Sequence, residues 1–116
     1  LVNKKSKVLI LGVTFKENCP DIRNTKVINI VNRLKKISIN CDVHDPIADK
    51  ESLEREYKIM TNPEPKYHDY DAVILAVPHT LFIENGSKKL KKFLKSGGTF
   101  FDLKSAFDIK ESDWRL

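Results

Sequence analysis

The sequence predicts an α/β fold on two observations. Two apolar runs, at residues 7–13 and 71–77, are continuous rather than alternating, which is typical of strands buried on both faces of a sheet. Strand-like runs also alternate with helix-like segments, an order that calls for parallel strands joined by right-handed crossovers. The chain has 116 residues, 41% of them hydrophobic and 32% charged, which suits one domain with a real core. We therefore expect a single domain with a three-layer, Rossmann-like parallel sheet of about five strands.

The first half of the chain is predicted to contain three strands and two helices. The strand at residues 7–13 leads to a helix that Asn24 or Thr25 can cap. Four apolar residues repeat at helical spacing on one face of this helix: Val27, Ile30, Val31 and Leu34. A second strand, a short charged helix and a brief third strand follow, at residues 40–44, 51–56 and 58–60.

The second half is predicted to contain the other two strands, with a helix between them. The run at residues 71–77 is the strongest strand after the first, and Pro78 is expected to stop it. The helix buries Leu90, Phe93 and Leu94 and exposes its lysines, at positions 88, 89, 91, 92 and 95. Gly97 and Gly98 are expected to end this helix, and residues 99–103 to form the last strand.

Composition narrows the class of protein. No stretch approaches the length of a membrane span, and the N-terminus lacks a charged-then-apolar signal pattern, so no membrane partner is expected. Cys19 and Cys41 are too few for a disulfide framework and fit a reducing, cytoplasmic compartment. Neither lies in a CxxC pair and the three histidines are scattered, so no metal site is predicted. Because the chain starts at Leu1, directly before a core strand, we interpret it as a piece of a longer protein.

The candidate ligand site lies where loops follow the strands. In a doubly wound sheet, ligands bind beyond the carboxyl ends of the strands, where the strand order reverses. Lys16 and Lys104 both follow central strands, and two such cations suit a diphosphate. The start of the helix near Thr25 adds partial positive charge, and Phe15 offers a ring to a planar base. The loop lacks the glycines that close on a pyrophosphate, so its chemistry differs from ordinary dinucleotide binding.

Several polar residues near this edge allow two interpretations. Asp21 and Arg23 either pair with each other or contact a ligand or another domain. Asp45 either forms an ordinary Asp-Pro turn, which we favour, or holds a ribose. Cys19 has no neighbouring histidine in the sequence to activate it, which argues against a nucleophile. His79 is expected to pack at or cap the start of a helix.

Two other classes of function fit the sequence less well. A phosphoacceptor receiver module needs acidic residues after its first strand and an Asp at the end of its third, and residues 12–14 and 60–62 supply neither. A nucleic-acid-binding module is suggested by the lysines at 88–95 and the net charge of +5. No aromatic residue interleaves with those lysines, so no nucleic-acid partner is expected.

The motifs resemble the C-terminal domain of the UDP-glucose/GDP-mannose dehydrogenase family. The resemblance rests on Gly-Val-Thr-Phe-Lys at residues 12–16 and Asp-Ile-Arg-Asn-Thr at residues 21–25. Later segments agree in order and spacing, at residues 42–46, 71–79 and 101–104. The amino-acid sequence of residues 15–25 is most similar to that of the branch that acts on UDP-N-acetylhexosamines. The resemblance covers nearly the whole chain.

The resemblance implies a function. Family members oxidise the C6 hydroxyl of a nucleotide sugar to a carboxylate with NAD, for surface polysaccharide synthesis. By resemblance, Phe15 and Lys16 contact the UDP-sugar and Arg23 reaches across the cleft toward NAD. Lys104 stands where relatives carry the arginine of a Gly-Arg pair that holds the nucleotide sugar.

The resemblance also implies what lies outside this chain. The family's catalytic cysteine belongs to a dimerising middle domain, and its NAD-binding glycine motif to an N-terminal domain; neither segment is present in these 116 residues. We thus expect residues 1–116 to be the UDP-sugar-binding domain of a larger homodimeric dehydrogenase, inactive alone. The alternative is a stand-alone α/β module that binds a nucleotide or another anionic partner.

Overall fold

A computed structural model describes residues 6–23 and 25–115, with the side chain of Arg115 left out. The five strands are β1 (Lys7–Leu11), β2 (Asn40–His44), β3 (Tyr70–Leu75), β4 (Leu94–Asp102) and the two-residue β5 (Trp114–Arg115). The four α-helices are α1 (Val27–Lys36), α2 (Lys50–Tyr57), α3 (Thr80–Asn85) and α4 (Ser87–Lys91), and a 3-10 turn spans Ile109–Glu111. No helix in the described part of the chain is long and apolar enough to cross a membrane.

The sheet confirms the predicted α/β class. Its strand order is β2-β1-β3-β4-β5, and every neighbouring pair is parallel. The chain moves from β1 to one side to form β2, then returns past β1 to form β3. The strand order therefore reverses between β1 and β3, and a crevice is expected beyond their carboxyl ends.

Two apolar clusters lie against the sheet, as the continuous apolar runs predict. Alternate residues of β1 point to opposite faces: Val8 and Ile10 join one cluster, and Leu9 and Leu11 join the other. The first cluster includes the buried face of α1 and Leu53 of α2. The second includes residues of α3 and α4, with Phe82 and Leu90 among them. Both faces of the central strands are thus removed from water.

The predicted strand at residues 58–60 is wrong. Lys58 adopts a left-handed conformation, with φ at 57°, and caps the end of α2. Its amide donates to the carbonyl of Glu54, and the amide of Ile59 donates to the carbonyl of Leu53. This is the hydrogen-bond pattern that ends many helices. The sheet still has five strands because β5 joins its other edge.

The predicted helix that buries Leu90, Phe93 and Leu94 is too long. Helix α4 ends at Lys91, and Leu94 begins β4 by pairing with Tyr70. The register shifts before Thr99 pairs with Ala72, so the two glycines lie in an irregular part of β4 rather than at a helix end. Gly97, with φ at 81°, supplies the backbone freedom this irregularity needs.

Candidate functional site

A cleft of about 220 Å³ lies at the carboxyl edge of the sheet, where the strand order reverses. Its lining comes from the loop after β1, the start of α1 with the two residues before it, the segment after β3, and the turn after β4. The lining residues are Thr14, Phe15, Thr25, Lys26, Val27, Ala76, Val77 and Lys104. Four segments remote in sequence therefore converge on one cavity. The sheet topology alone places them together.

The structure brings two of the predicted site residues together. Phe15 and Lys104 both line the cleft, and 56% of the Phe15 surface is exposed. Lys26, which directly precedes α1, lines the cleft as well, and it is not among the predicted site residues. Lys16 is exposed next to Phe15 but is not among the lining residues. In the described part of the chain, no carboxylate forms an ion pair with Lys16, Lys26 or Lys104. Their charges are thus free to attract an anion.

Arg23 lies outside this cleft. It lines a separate cavity of about 380 Å³ beside α2, with Asp49 and Arg55. Its guanidinium Nη2 lies 2.9 Å from Asp21 Oδ2, and its Nε is 3.0 Å from Asp21 Oδ1. Hydrogen bonds from the side chain and backbone of Arg23 lower the pKa of Asp21 to about 2. The structure therefore shows the mutual pair that was one of the two interpretations of these residues.

Asp45 forms the predicted turn, with every acceptor position in use. Its Oδ1 accepts hydrogen bonds from the amides of Ile47 at 2.8 Å and Ala48 at 2.9 Å. Its Oδ2 accepts from the amide of Val13 at 2.7 Å and from His79 Nε2 at 2.9 Å. Burial acts to raise the pKa of Asp45, but the hydrogen bonds from His79 and Val13 outweigh it, and the pKa lies below its ordinary value. A carboxylate engaged in this way is not open to a ribose.

The sequence analysis missed the partner of Asp45. His79 is completely buried, and its Nδ1 accepts a hydrogen bond from the amide of Asn18 at 2.9 Å. The hydroxyl of Thr14 lies 3.5 Å from His79 Nε2. The side chain of His79 thus joins the ends of β1, β2 and β3 rather than capping α3. No local sequence signal identifies this contact, because residues 14–18, 45 and 79 are far apart in the chain.

This Asp–His pair lacks the layout of a nucleophilic triad. In a triad, the carboxylate and the nucleophile bind different ring nitrogens of the histidine. Here Asp45 and the Thr14 hydroxyl both face Nε2, while Nδ1 is taken by a backbone amide. Thr14, Asp45 and His79 are all at most 1% exposed. The pair therefore holds structure together and does not meet a substrate.

Asn18 connects the same loop to α3. Its side-chain Oδ1 accepts from the amide of Thr80 at 2.8 Å, and its Nδ2 donates to the Thr80 hydroxyl at 2.8 Å. Its backbone is left-handed, with φ at 62°, a conformation that asparagine tolerates better than most residues. The loop after β1 is thus held at its turn by both the backbone and the side chain of Asn18.

A second buried carboxylate shapes the other wall of the cleft. Asp102, at the end of β4, is completely buried. Its Oδ1 accepts from the amide of Ala106 at 2.9 Å, and its Oδ2 accepts from the amide of Phe107 at 2.8 Å. These bonds close the turn that presents Lys104 at the cleft.

Gly12 marks the closest approach between β1 and the segment after β3. Its φ is 90°, and a Cβ at this position would lie 2.6 Å from the Cβ of Val77 and 2.7 Å from its carbonyl oxygen. Only glycine fits such a contact. Gly12 therefore lets the end of β1 and the segment after β3 pack in direct contact.

The two cysteines differ in their surroundings. Cys41, in β2, is packed against the core as predicted, and burial raises the pKa of its thiol to about 11. Cys19 is half-buried in the loop after β1, and both thiols are free. Within the described ranges, no group of three His, Cys, Asp or Glu residues could hold a metal ion.

Comparisons with known proteins show the family of this chain. Residues 9–109 match the family described as "UDP-glucose/GDP-mannose dehydrogenase family, UDP binding domain". The chain is 48% identical over 111 residues to a UDP-N-acetyl-D-glucosamine 6-dehydrogenase of Salmonella typhi and 43% identical over 111 residues to one of Pseudomonas aeruginosa. It is 39% identical over 114 residues to Protein CapL of Staphylococcus aureus. These matches cover 94–96% of this chain but only 26–27% of each relative.

Solved structures share the fold. The chain resembles the UDP-N-acetyl-mannosamine dehydrogenase Cap5O of S. aureus with a TM-score of 0.70 at 18% identity, over 95% of this chain and 25% of that one. It resembles a UDP-D-ManNAc dehydrogenase of Pyrococcus horikoshii with a TM-score of 0.69 at 17% identity, over 97% of this chain and 25% of that one. The chain thus spans about a quarter of the length of the proteins it matches.

Proposed function

This chain belongs to the UDP-glucose/GDP-mannose dehydrogenase family as its UDP-binding domain, and on that premise we propose that it holds a UDP-sugar in the cleft beyond the carboxyl ends of β1 and β3. The observation that carries the proposal is the composition of the cleft. It combines a partly exposed aromatic ring, two lysines and the start of a helix at the point where the strand order reverses.

Each part of the cleft suits a part of a nucleoside diphosphate. Lys26 directly precedes α1 and Lys104 lines the same cleft, and the partial positive charge at the start of α1 favours phosphate oxygens. The exposed ring of Phe15 offers a face on which a base can stack. We also assign Lys16, which is exposed beside Phe15 but does not line the cleft, to the same ligand.

The proposal for the whole protein reaches beyond this chain. We propose an NAD-dependent UDP-sugar 6-dehydrogenase that acts on a UDP-N-acetylhexosamine for surface polysaccharide synthesis. Residues 1–116 are its C-terminal domain, and the whole protein is a cytoplasmic homodimer. Two relatives that match 96% of this chain are named UDP-N-acetyl-D-glucosamine 6-dehydrogenases, which supports the hexosamine branch. The catalytic cysteine is assigned to a domain outside this chain, so the chain alone is inactive.

We assign NAD mainly to a different domain. NAD supplies the oxidant in the proposed reaction, and we assign it to another domain because the turn after β1 lacks the glycine motif of dinucleotide-binding folds. Arg23 is the residue of this chain that we propose approaches NAD. To do so, its guanidinium must exchange its bonds to Asp21 for bonds to the cofactor.

Calorimetric titration with UDP and with NAD tests the proposal. We expect UDP to bind and NAD to bind more weakly, because the cleft suits one nucleoside diphosphate. Replacing Lys104 or Lys16 by alanine should weaken UDP binding about tenfold, as loss of one charge-assisted contact does. Lys88→Ala is the matched control, since Lys88 is an exposed lysine in α4 and does not line the cleft.

Two results would redirect the assignment. Tighter binding of NAD than of UDP would overturn it. Binding of inorganic pyrophosphate as tight as that of UDP would favour the alternative of a general anion-binding module, because the base would then contribute nothing.

A further inference from the structure

We propose that His79 is a positioning residue that fixes the UDP-binding loop, residues 14–18, through the bond between its Nδ1 and the Asn18 amide. The inference rests on the proposed function for its ligand, but the order of the loop can be measured without a ligand. Neither Asp45 nor His79 lines the cleft, so both act through other residues.

The hydrogen bonds fix the state of the imidazole. The amide of Asn18 can only donate, so Nδ1 must be an unprotonated acceptor. Nε2 then carries the proton and donates it to the Asp45 carboxylate. The pair is therefore a hydrogen bond between a neutral imidazole and a carboxylate rather than an ion pair. The carboxylate selects the tautomer that leaves Nδ1 free to accept.

The network reaches the cleft in two steps. His79 contacts the amide of Asn18 and the hydroxyl of Thr14, and Thr14 itself lines the cleft. The same hydroxyl donates to the carbonyl of Lys16 at 2.8 Å. Phe15 lies between these two anchored residues, and its own amide donates to the carbonyl of Asp21 at 2.8 Å. The ring that faces the cleft is thus held from both sides.

Burial of Asp45 and His79 makes this arrangement stiff. An unsatisfied polar group in the interior is costly, so these two side chains strongly favour the one geometry that satisfies them. Asp45 uses both oxygens and His79 both ring nitrogens, and neither side chain is exposed. A loop held in its binding conformation before the ligand arrives loses less entropy on binding. UDP affinity should therefore depend on His79 although UDP does not contact it.

Two substitutions of His79 each keep one of its two hydrogen bonds, to the Asn18 amide or to Asp45, and remove the other. In His79→Asn the amide oxygen lies near the position of Nδ1 and can still accept from the Asn18 amide, but the bond to Asp45 is lost. In His79→Gln the amide nitrogen lies near the position of Nε2 and can still donate to Asp45, but the Asn18 amide loses its acceptor. Both variants replace the buried ring by a smaller side chain and lower global stability, so exchange of the Asn18 amide is compared with exchange of core amides in the same variant.

The experiment measures amide hydrogen exchange in the ligand-free chain and UDP affinity by calorimetry. In His79→Gln we expect the Asn18 amide to exchange about tenfold faster than the rest of the chain accounts for, and UDP to bind about tenfold more weakly. In His79→Asn both values should stay close to those of the unmodified chain. His68→Asn and His68→Gln are matched controls, because His68 Nδ1 bonds the Leu94 carbonyl at the amino ends of β3 and β4, away from the cleft.

The imidazole nitrogen resonances of the unmodified chain give a test that needs no variant. A protonated Nε2 with an unprotonated Nδ1 supports the inference, and a protonated Nδ1 overturns it. Equal loop exchange in the Asn and Gln variants also overturns it. If the unmodified chain fails to bind UDP while loop exchange still differs between the variants, the proposed function fails and the positioning role of His79 stands.

Discussion

The two walls of the cleft are held by buried carboxylates that work over different distances. Asp102 accepts amides only four and five residues later in the chain, and so closes a local turn under Lys104. Asp45 accepts an amide 32 residues earlier and a ring nitrogen 34 residues later. The wall that carries Lys104 is therefore a self-contained turn, whereas the wall that carries Phe15 depends on the ends of β1, β2 and β3 being in place.

This difference predicts how the two walls respond to change. A local turn can form whenever its own few residues are ordered. The loop at residues 14–18 is fixed only when the whole sheet edge is assembled, because its anchors come from the segments that follow β2 and β3. Substitutions at the sheet edge should thus disturb the Phe15 wall more than the Lys104 wall.

The largest effect is expected from Gly12→Ala. The added Cβ meets Val77 at 2.6 Å, and alanine is strained at a φ of 90°. Together these effects should lower the free energy of unfolding by about 4 kcal/mol, measured by urea denaturation. Gly86→Ala is the matched control: its φ is 84°, but nothing lies within 4 Å of the added Cβ. A loss as large in the control would show that backbone strain alone accounts for the effect.

The next largest effect is a difference in stability between variants of the two buried carboxylates, Asp45 and Asp102. Asp45→Asn leaves one oxygen to serve four donors and should cost about 3 kcal/mol of stability, whereas Asp102→Asn should cost about half as much. Urea denaturation of both variants at neutral pH measures the difference. Equal losses would contradict the view that the Asp45 wall carries the larger network.

A smaller effect should appear in acid. The folded-state pKa of Asp45 lies below its ordinary value of 3.8, so its ionised form contributes stability that is fully present above that value and is lost as pH falls through the lower folded value. The stability gap between the unmodified chain and Asp45→Asn should therefore shrink below about pH 4. Carboxylates that both chains share cancel in this difference. A gap that widens in acid would contradict the assigned ionisation.

The smallest effect is expected from Arg23→Ala. Asp21 and Arg23 pair at the surface, where solvent screens their attraction. The urea midpoint of Arg23→Ala should match that of the unmodified chain. A clear drop would mean that this pair supports the loop after β1, as the buried pair of Asp45 and His79 does.

The parts of the fold that follow from local sequence were predictable. The runs at residues 7–13 and 71–77 are apolar without a break, and both form central strands, although each strand ends about two residues earlier than expected. The Asp45 turn also follows from its local sequence. The segment at residues 58–60 looked like a strand because Ile59 and Met60 are apolar, but the left-handed Lys58 ends a helix there instead.

The site was predictable only in part. The rule that ligands bind where the strand order reverses placed Lys16 and Lys104 at one edge, with Phe15 beside them; Phe15 and Lys104 line the cleft, and Lys16 does not. The role of His79 was not predictable, because its ring bonds a backbone amide that any residue at position 18 except proline would offer. Such a contact depends on the assembled topology and leaves no pattern in the chain. The binding roles of Phe15, Lys16, Lys104 and Arg23 stay predictions.

Amide chemical-shift mapping with UDP tests the central claim most directly. We expect UDP to shift the amide resonances of five residues that line the cleft beyond the carboxyl ends of β1 and β3: Phe15, Lys26, Val27, Val77 and Lys104. Resonances near the amino ends of the strands, such as that of His68, should stay in place. Shifts centred on the Arg23 cavity or on the lysines of α4, with the cleft unchanged, would contradict the account.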